Sequence, residues 1–293
     1  MKAGFCAIVG RPNVGKSTLL NAMLGEKVAI TADKPQTTRN RIRGIYTDSE
    51  CQVVFIDTPG ITKARNKLGE FMASTALGTL ADADAILFLS DEAYSDKGGD
   101  AFITEKLKGI KDTPKFLILS KMDLRGPEEF RAAYESFEKQ GVFQEIVGTN
   151  APAGENVDYV LGLVKRCMPD GPQFFPPDMI TDHPERFLVT EIIREKLLHY
   201  LSDEVPHGVA VEIESYEEGE GLTKISAVIY CEKKSHKGII IGKDGRKLKG
   251  VGKSAREEIE RLLGTKVFLE LWVKVKSNWR DSDFMLGSLG YKE

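Results

Sequence analysis

The chain has 293 residues, 41% of them hydrophobic and 29% charged, with a formal net charge of −3. That balance is ordinary for a globular protein and excludes a collagen-like chain, a coiled-coil rod and a wholly disordered chain. No apolar run approaches the ~20 residues that span a bilayer. The opening Met1-Lys2-Ala3-Gly4 has no long apolar segment before Arg11, so no signal peptide is expected. Four scattered cysteines (Cys6, Cys51, Cys167, Cys231) form no CxxC or CxxH pair. They point to a reducing cytoplasm, without a disulfide scaffold or structural zinc. At ~150 residues per domain, the length suggests two domains.

In the first half, short apolar runs alternate with helical patterns. Residues 5–9, 53–56, 86–89 and 116–119 read as strands buried on both faces, with helices over 17–25, 68–80 and 127–140. Strand–helix alternation predicts an α/β domain with a mostly parallel sheet.

Between the first strand and the first helix lies Gly10-Arg11-Pro12-Asn13-Val14-Gly15-Lys16-Ser17, with Thr18 next. It matches GxxxxGK[ST] in the context that a phosphate-binding loop requires. Glycines let phosphate oxygens approach backbone N–H groups, and the helix N-terminus adds positive partial charge. Lys16 is placed to reach the β- and γ-phosphates, and Ser17 to put a hydroxyl on Mg2+. A plain glycine-rich turn is the bland alternative; strand, motif and helix together weigh against it.

Asp57-Thr58-Pro59-Gly60 closes the strand 53–56. A carboxylate there can hold Mg2+ through water, and the Gly60 N–H can meet a γ-phosphate. Ser120-Lys121-Met122-Asp123 closes the strand 116–119. An Asp123 carboxylate can accept from guanine N1–H and N2–H together, a pair that adenine lacks. A simple Thr-Pro-Gly turn and a solvated loop acid are the respective bland readings.

Five of the twelve prolines (Pro169, Pro172, Pro176, Pro177, Pro184) fall within sixteen residues. Proline can continue neither a helix nor a central strand, so 169–181 reads as an interdomain linker, with Phe174 and Phe175 packing on something. Beyond it the order changes. Phe187, Leu188, Ile192, Leu197, Leu198 and Leu201 share a helix face, and Val209, Val211 and Ile213 alternate as in a strand. Ile225, Ala227 and Ile229 repeat that alternation; Leu248, Val251, Ala255, Ile259 and Leu262 mark a second amphipathic helix. Val267, Leu269, Leu271, Val273 and Val275 then alternate in a last strand. The coarse order is helix, two strands, one or two helices, strand: a small α+β domain.

Residues 233–256 carry nine basic side chains against the single acid Asp244. Focused positive charge is the footprint of a phosphate backbone. Inside the run, Ile241-Gly242-Lys243-Asp244-Gly245 contains Gly-x-x-Gly between two helical patterns, the K homology (KH) signature that clamps about four nucleotides of single strand. Arg246, Lys247 and Lys249 follow within reach. A solvated basic face, resting on anionic lipid, is the rival reading.

The ordered set of P-loop, Asp57-Thr58-Pro59-Gly60 and Ser120-Lys121-Met122-Asp123 resembles the translation-factor class of GTPases. With Lys34-Pro35-Gln36-Thr37-Thr38-Arg39 and the C-terminal half added, the chain is similar to the Era family of bacterial ribosome-assembly GTPases from Phe5 to Tyr291. The resemblance implies a P-loop GTPase domain (1–168), the linker 169–181, and a type II KH RNA-binding domain with a C-terminal tail (182–293). It implies residues 32–45 as the first switch and Mg2+ held by Ser17, Asp57 and Thr38, with Thr37 the adjacent alternative. Lys16, Thr38 and Gly60 would then serve hydrolysis, and Asn13 would support a bound K+. The expected partners are GTP and GDP, 16S ribosomal RNA near its single-stranded 3′ end, and the 30S subunit. A monomer in the cytoplasm, with peripheral contact to the inner membrane, is the expected state. Three departures stand out. Ser120 occupies the usual Asn or Thr position. Thr149-Asn150-Ala151 stands for Ser-Ala-Lys, leaving the Ala151 N–H to meet guanine O6. Ile61 follows Gly60 where many GTPases carry a water-orienting glutamine, which implies slow intrinsic turnover and an activating input. The competing readings are a P-loop phosphotransferase or ATPase with an accessory domain, and a membrane-peripheral signalling GTPase.

Overall fold

Strands β1 (Lys2–Gly10), β3 (Cys51–Asp57), β4 (Ala85–Ser90) and β5 (Lys115–Leu119) are near-continuous apolar runs, as strands covered on both faces must be. In the computed structural model, which describes residues 1–292, they form the middle of a six-stranded sheet of order β2-β3-β1-β4-β5-β6. Its edges are β2 (Ile42–Thr47) and β6 (Glu145–Gly148). Only the β2–β3 pairing is antiparallel. Five helices accompany the strands: α1 (Lys16–Leu24), α2 (Lys67–Gly78), α3 (Gly99–Lys108), α4 (Pro127–Glu138) and α5 (Val157–Cys167). Side chains of α2, α3 and α4, such as Ala76, Ile103 and Phe137, pack on Ala7, Val9, Ile86 and Phe88. α1 and α5 pack on each other and on β3.

Because β1, β3, β4 and β5 run parallel, their carboxyl ends share one edge: Ile8 stands beside Asp57, Gly10 beside Leu89, and Ser90 beside Leu119. All three sequence motifs leave the sheet at that edge, where open α/β folds bind ligands. The sequence reading missed β2, whose Arg43 and Gly44 break the apolar run of an edge strand.

The chain divides into two compact units. The first comprises Met1–Thr31, Thr38–Ala64 and Gly69–Asp182; the second comprises Ala32–Thr37, Arg65–Leu68 and the chain from His183 onward. Residues 169–182 lie along the first unit. The buried Gln52 amide accepts from the Phe174 and Phe175 N–H groups and donates to the Phe175 carbonyl. The Phe174 ring lies 4.8 Å from Phe5, and the Ile45 N–H donates to the Ile180 carbonyl.

The second unit runs α6 (Glu185–Tyr200), β7 (Ala210–Gly219), β8 (Leu222–Cys231), α7 (Lys234–Ile241), α8 (Arg246–Leu263), β9 (Lys266–Val275) and α9 (Asp283–Ser288). β7 and β8 form an antiparallel hairpin and β9 lies parallel to β8. Helices α6, α7 and α8 supply Ile193, Ile240, Val251 and Ala255 to one core with Val211, Ile225 and Val273. Two positions differ from the periodic reading. Leu262 is 40% exposed while Leu263 packs on the core, because α8 ends there at Gly264. Val275, at the end of β9, is also exposed. Glu293, the last residue of the second half, lies outside the described residues.

Both tryptophans, Trp272 and Trp279, belong to the second unit, so their fluorescence reports its unfolding. Ile259→Ala, at a fully buried position, is expected to cost about 3 kcal/mol. Leu262→Ala is expected to cost under about 1 kcal/mol. Equal urea midpoints for the two variants would contradict this helix register.

Candidate functional site

β1 ends at Gly10 and α1 begins at Lys16, so residues 10–15 wrap a loop in front of a helix N-terminus. Lys16 is buried there, its ammonium donating to the Arg11 carbonyl at 2.9 Å and the Gly10 carbonyl at 3.4 Å. Burial lowers its pKa to about 8, against the upward pull of Asp57. Those two carbonyls hold the ammonium within the loop that the motif reserves for phosphate.

Asp57 ends β3 with no exposure at all. Its Oδ2 accepts from Ser17 Oγ at 2.6 Å and from Thr38 Oγ1 at 3.2 Å, and those hydroxyls lie 3.0 Å apart. Its Oδ1 has no hydrogen-bond partner. Burial raises the Asp57 pKa, while Lys16 and the two hydroxyls pull it down. An orphaned, buried carboxylate oxygen beside two hydroxyls is a hard-oxygen set, and these residues fit Mg2+. Thr37 is not part of this set: its hydroxyl donates to the Lys34 carbonyl at 2.6 Å and the Ala32 carbonyl at 3.3 Å.

The segment after Asp57 is laced to β1. Thr58 Oγ1 donates to the Ile8 carbonyl at 2.8 Å, and the Ile61 N–H to the Gly10 carbonyl at 3.1 Å. Gly60 presses on Pro12, where any Cβ would lie 2.6 Å from the proline, so Pro59-Gly60 can only pass the loop as glycine. Ile61 is 2% exposed and joins the apolar core with Ala7 and Val9.

The base-reading candidates come together at the ends of β5 and β6. The Ser120 hydroxyl donates to the Val14 carbonyl at 2.6 Å, so this serine keeps the tie to the phosphate loop. The Met122 N–H donates to the Thr149 carbonyl at 3.2 Å, joining the two loops. Asp123 is exposed beside them. Asn150 is nearly buried, its carbonyl accepting from the Ala153 and Glu155 N–H groups, and Ala151 opens a short 3-10 turn to Ala153. Asn13 is exposed in the left-handed region, at φ 64°. The sequence reading placed Arg11 in the cradle but missed its acidic partners Asp91 and Asp100. The polar pair Ser90-Asp91, closing a buried strand, was the available signal.

In the second unit α7 stops at Ile241 because Gly242 takes φ 71° and ψ 175°, a conformation essentially reserved for glycine. A Cβ there would lie 2.7 Å from that of Lys247. Asp244 and Gly245 also turn left-handed before Arg246 opens α8. Lys243, Asp244, Arg246 and Lys249 are exposed, and Ile241 and Lys247 half-buried. The Arg246 guanidinium stands 3.7 Å from Asp244, a pairing too exposed to quench the patch.

Comparison with known proteins matches both halves of the chain. The 50S ribosome-binding GTPase family model matches residues 5–121, and the KH domain model matches 204–280. The chain is 56% identical to the GTPase Era of Alkaliphilus oremlandii over 292 residues, covering 99% of each chain. It is 52% identical to that of Clostridioides difficile, covering 100% of this chain and 99% of that one. The chain belongs to the Era family of GTPases. It is therefore an enzyme that hydrolyses GTP. The crystal structure of a point variant of Aquifex aeolicus Era bound to GDP and AlF4− superposes with TM-score 0.95 at 39% identity, covering 100% of both chains. A structure of Era with MgGDPNP and nucleotides 1506–1542 of 16S ribosomal RNA matches equally, at TM-score 0.95 and 39% identity over 100% of both chains. The mostly parallel P-loop GTPase domain followed by a KH domain is the Era fold. No helix among the described residues is long and apolar enough to cross a membrane.

The Lys16 environment generates a pH prediction for this Era-family site. A bound phosphate must raise the lysine pKa above its value near 8 in the free protein. Affinity is then full below pH ~8 and declines above it, and binding at pH 8 takes up about half a proton per nucleotide. Calorimetry of GDP binding without Mg2+, in two buffers of different ionisation enthalpy, measures this uptake. No uptake would contradict it.

Proposed function

We propose that this Era-family GTPase is a switch that binds 16S ribosomal RNA near its 3′ end and assists assembly of the 30S subunit. The relative crystallised with MgGDPNP and an RNA of that region supports this reading. So does the Gly242–Gly245 loop, with its exposed lysines and arginine, at the N-terminus of α8. The single observation that carries the nucleotide half is the convergence of Ser17, Thr38 and Asp57 on one buried point.

In this reading Ser17 and Thr38 would hold Mg2+ through their hydroxyls and Asp57 through water on its unpaired oxygen. The ion would supply charge neutralisation across the β- and γ-phosphates. Backbone N–H groups of residues 13–18 cradle the phosphates, and Lys16 turns from the carbonyls of Gly10 and Arg11 to the γ-phosphate. The Gly60 N–H meets the same group. Asp123 reads guanine N1–H and N2–H, Ala151 donates to O6, and Ser120, Lys121 and Asn150 set those loops. Ile61 lies in the core and cannot orient water, which favours slow intrinsic turnover and an added cation. A K+ ion beside Asn13 is the proposed supplement; hydrolysis should then run faster in potassium than in sodium, and equal rates would count against it. GTP orders the 32–45 switch around Thr38, and GDP releases it. The protein acts as a cytoplasmic monomer, and the basic face of α7 and α8 is also where anionic inner-membrane lipid would be met.

Asp123→Asn is expected to lower GTP affinity by roughly 10^3-fold or more and to favour xanthosine nucleotides, since an amide donates where the carboxylate accepts. Unchanged selectivity would remove Asp123 as base reader. For RNA, Gly242→Asp should abolish binding of an oligonucleotide from the 16S 3′ end while sparing GTP binding. Lys243→Ala should only flatten the log–log salt slope by ~0.7, one phosphate's share. A Gly242→Asp chain that binds RNA like the parent would contradict the clamp.

A further inference from the structure

The carboxyl end of β4 carries a charge cluster that the nucleotide chemistry above leaves unused. Asp91 follows β4 directly, and each of its carboxylate oxygens takes a different cation. Oδ1 accepts from Arg11 Nη2 at 2.9 Å, and Oδ2 from Lys121 Nζ at 2.8 Å. Arg11 belongs to the phosphate loop and Lys121 to the base-reading loop. Arg11 is gripped a second time: its Nε donates to Asp100 Oδ1 at 2.9 Å. Asp100 is 3% exposed, in the first turn of α3, and its other oxygen accepts from Ser90 Oγ at 2.7 Å. Glu92 adds a third acid, 2.8 Å from Arg11 Nη2. Partial burial alone would lower the Arg11 pKa, but Asp100 and its acidic neighbours raise it, so the guanidinium stays charged.

The base loop is tied to the same strand end through its backbone, the Ser120 N–H donating to the Ser90 carbonyl at 2.9 Å. Ser120 also reaches Val14. The two loops therefore meet twice: at the floor of the site through Ser120, and at its rim through Asp91. A charged acceptor shared by two cations is stronger and more directional than a neutral bond. Lys121 sits left-handed at φ 57° and turns its side chain to Asp91, so the base loop commits a residue of unusual backbone geometry to this contact.

We infer that Asp91 is a positioning residue that locks the base-reading loop to the phosphate loop, so that the guanine and the diphosphate are gripped as one rigid span. It sets how long the nucleotide stays bound and leaves the hydrolytic step alone. This rests on the guanine-nucleotide assignment of the site.

The experiment measures dissociation of a fluorescent GDP and single-turnover hydrolysis of pre-bound GTP in the full chain. Asp91→Asn, close in shape to the parent, is expected to speed GDP release about tenfold, the loss of one charge-assisted contact. Hydrolysis of bound GTP should stay within about twofold of the parent. Asp91→Glu, which keeps the carboxylate, should restore release to within about threefold. Lys121→Met should speed release as well, and the double variant with Asp91→Asn should be no faster than the larger single change. A parental release rate in Asp91→Asn, or strict additivity with Lys121→Met, overturns the inference. If Asp91→Asn does not fold, Arg11→Met breaks the span from the phosphate side, and a parental release rate there also overturns it. Failure of the parent chain to bind GDP would instead sink the assignment of the site itself.

Discussion

A carboxylate buried at the end of a parallel strand, with only one oxygen satisfied, sets the terms for the first unit. Asp57 accepts from Ser17 and Thr38 on one side and has no partner on the other. An unpaired charge in such a place is costly unless something cationic completes it. Lys16 is near enough to pull the Asp57 pKa down, but it is itself buried and bonded to loop carbonyls. The site is therefore built around charges that bound ligands complete.

The two functional loops solve one problem in two ways. In the proposed function each brings a phosphate against backbone N–H groups at the start of a helix, and each has a left-handed glycine there, Gly15 before α1 and Gly245 before α8. The first loop is closed over a buried lysine and a carboxylate, which suits a compact, highly charged ligand. The second is open and rimmed by exposed lysines and arginine, which suits a chain of single phosphates running past it. Gly242 marks the difference: its backbone geometry, more than any side chain, fixes where α7 stops.

Much of this was legible in the sequence because the decisive elements are local. A both-faces-apolar strand, a glycine motif and a helix start at fixed spacing leave little freedom, and the central strands and α1 lie where that pattern puts them. The edge strand β2 was not legible, since edge strands need no continuous apolar run. Residues 169–181 read as a linker from their prolines, but Gln52, distant in sequence, binds that stretch to the first unit. Thr37 and Thr38 are indistinguishable by spacing; only the fold points one hydroxyl at Asp57 and the other at its own loop. The Arg11–Asp91–Lys121 cluster joins three strand ends, and nothing periodic announces it. Ser120 stands in the usual Asn or Thr position, and its bond to the Val14 carbonyl shows that the shorter side chain still reaches the phosphate loop.

The account depends most on the unpaired oxygen of Asp57 facing a bound cation through water. The direct measurement is release of a non-hydrolysable GTP analogue with and without Mg2+, in the parent and in Asp57→Asn. The parent should hold the analogue at least about tenfold longer with Mg2+, and the variant should show no such dependence. A parent indifferent to Mg2+, or a variant that keeps the full effect, would contradict the account.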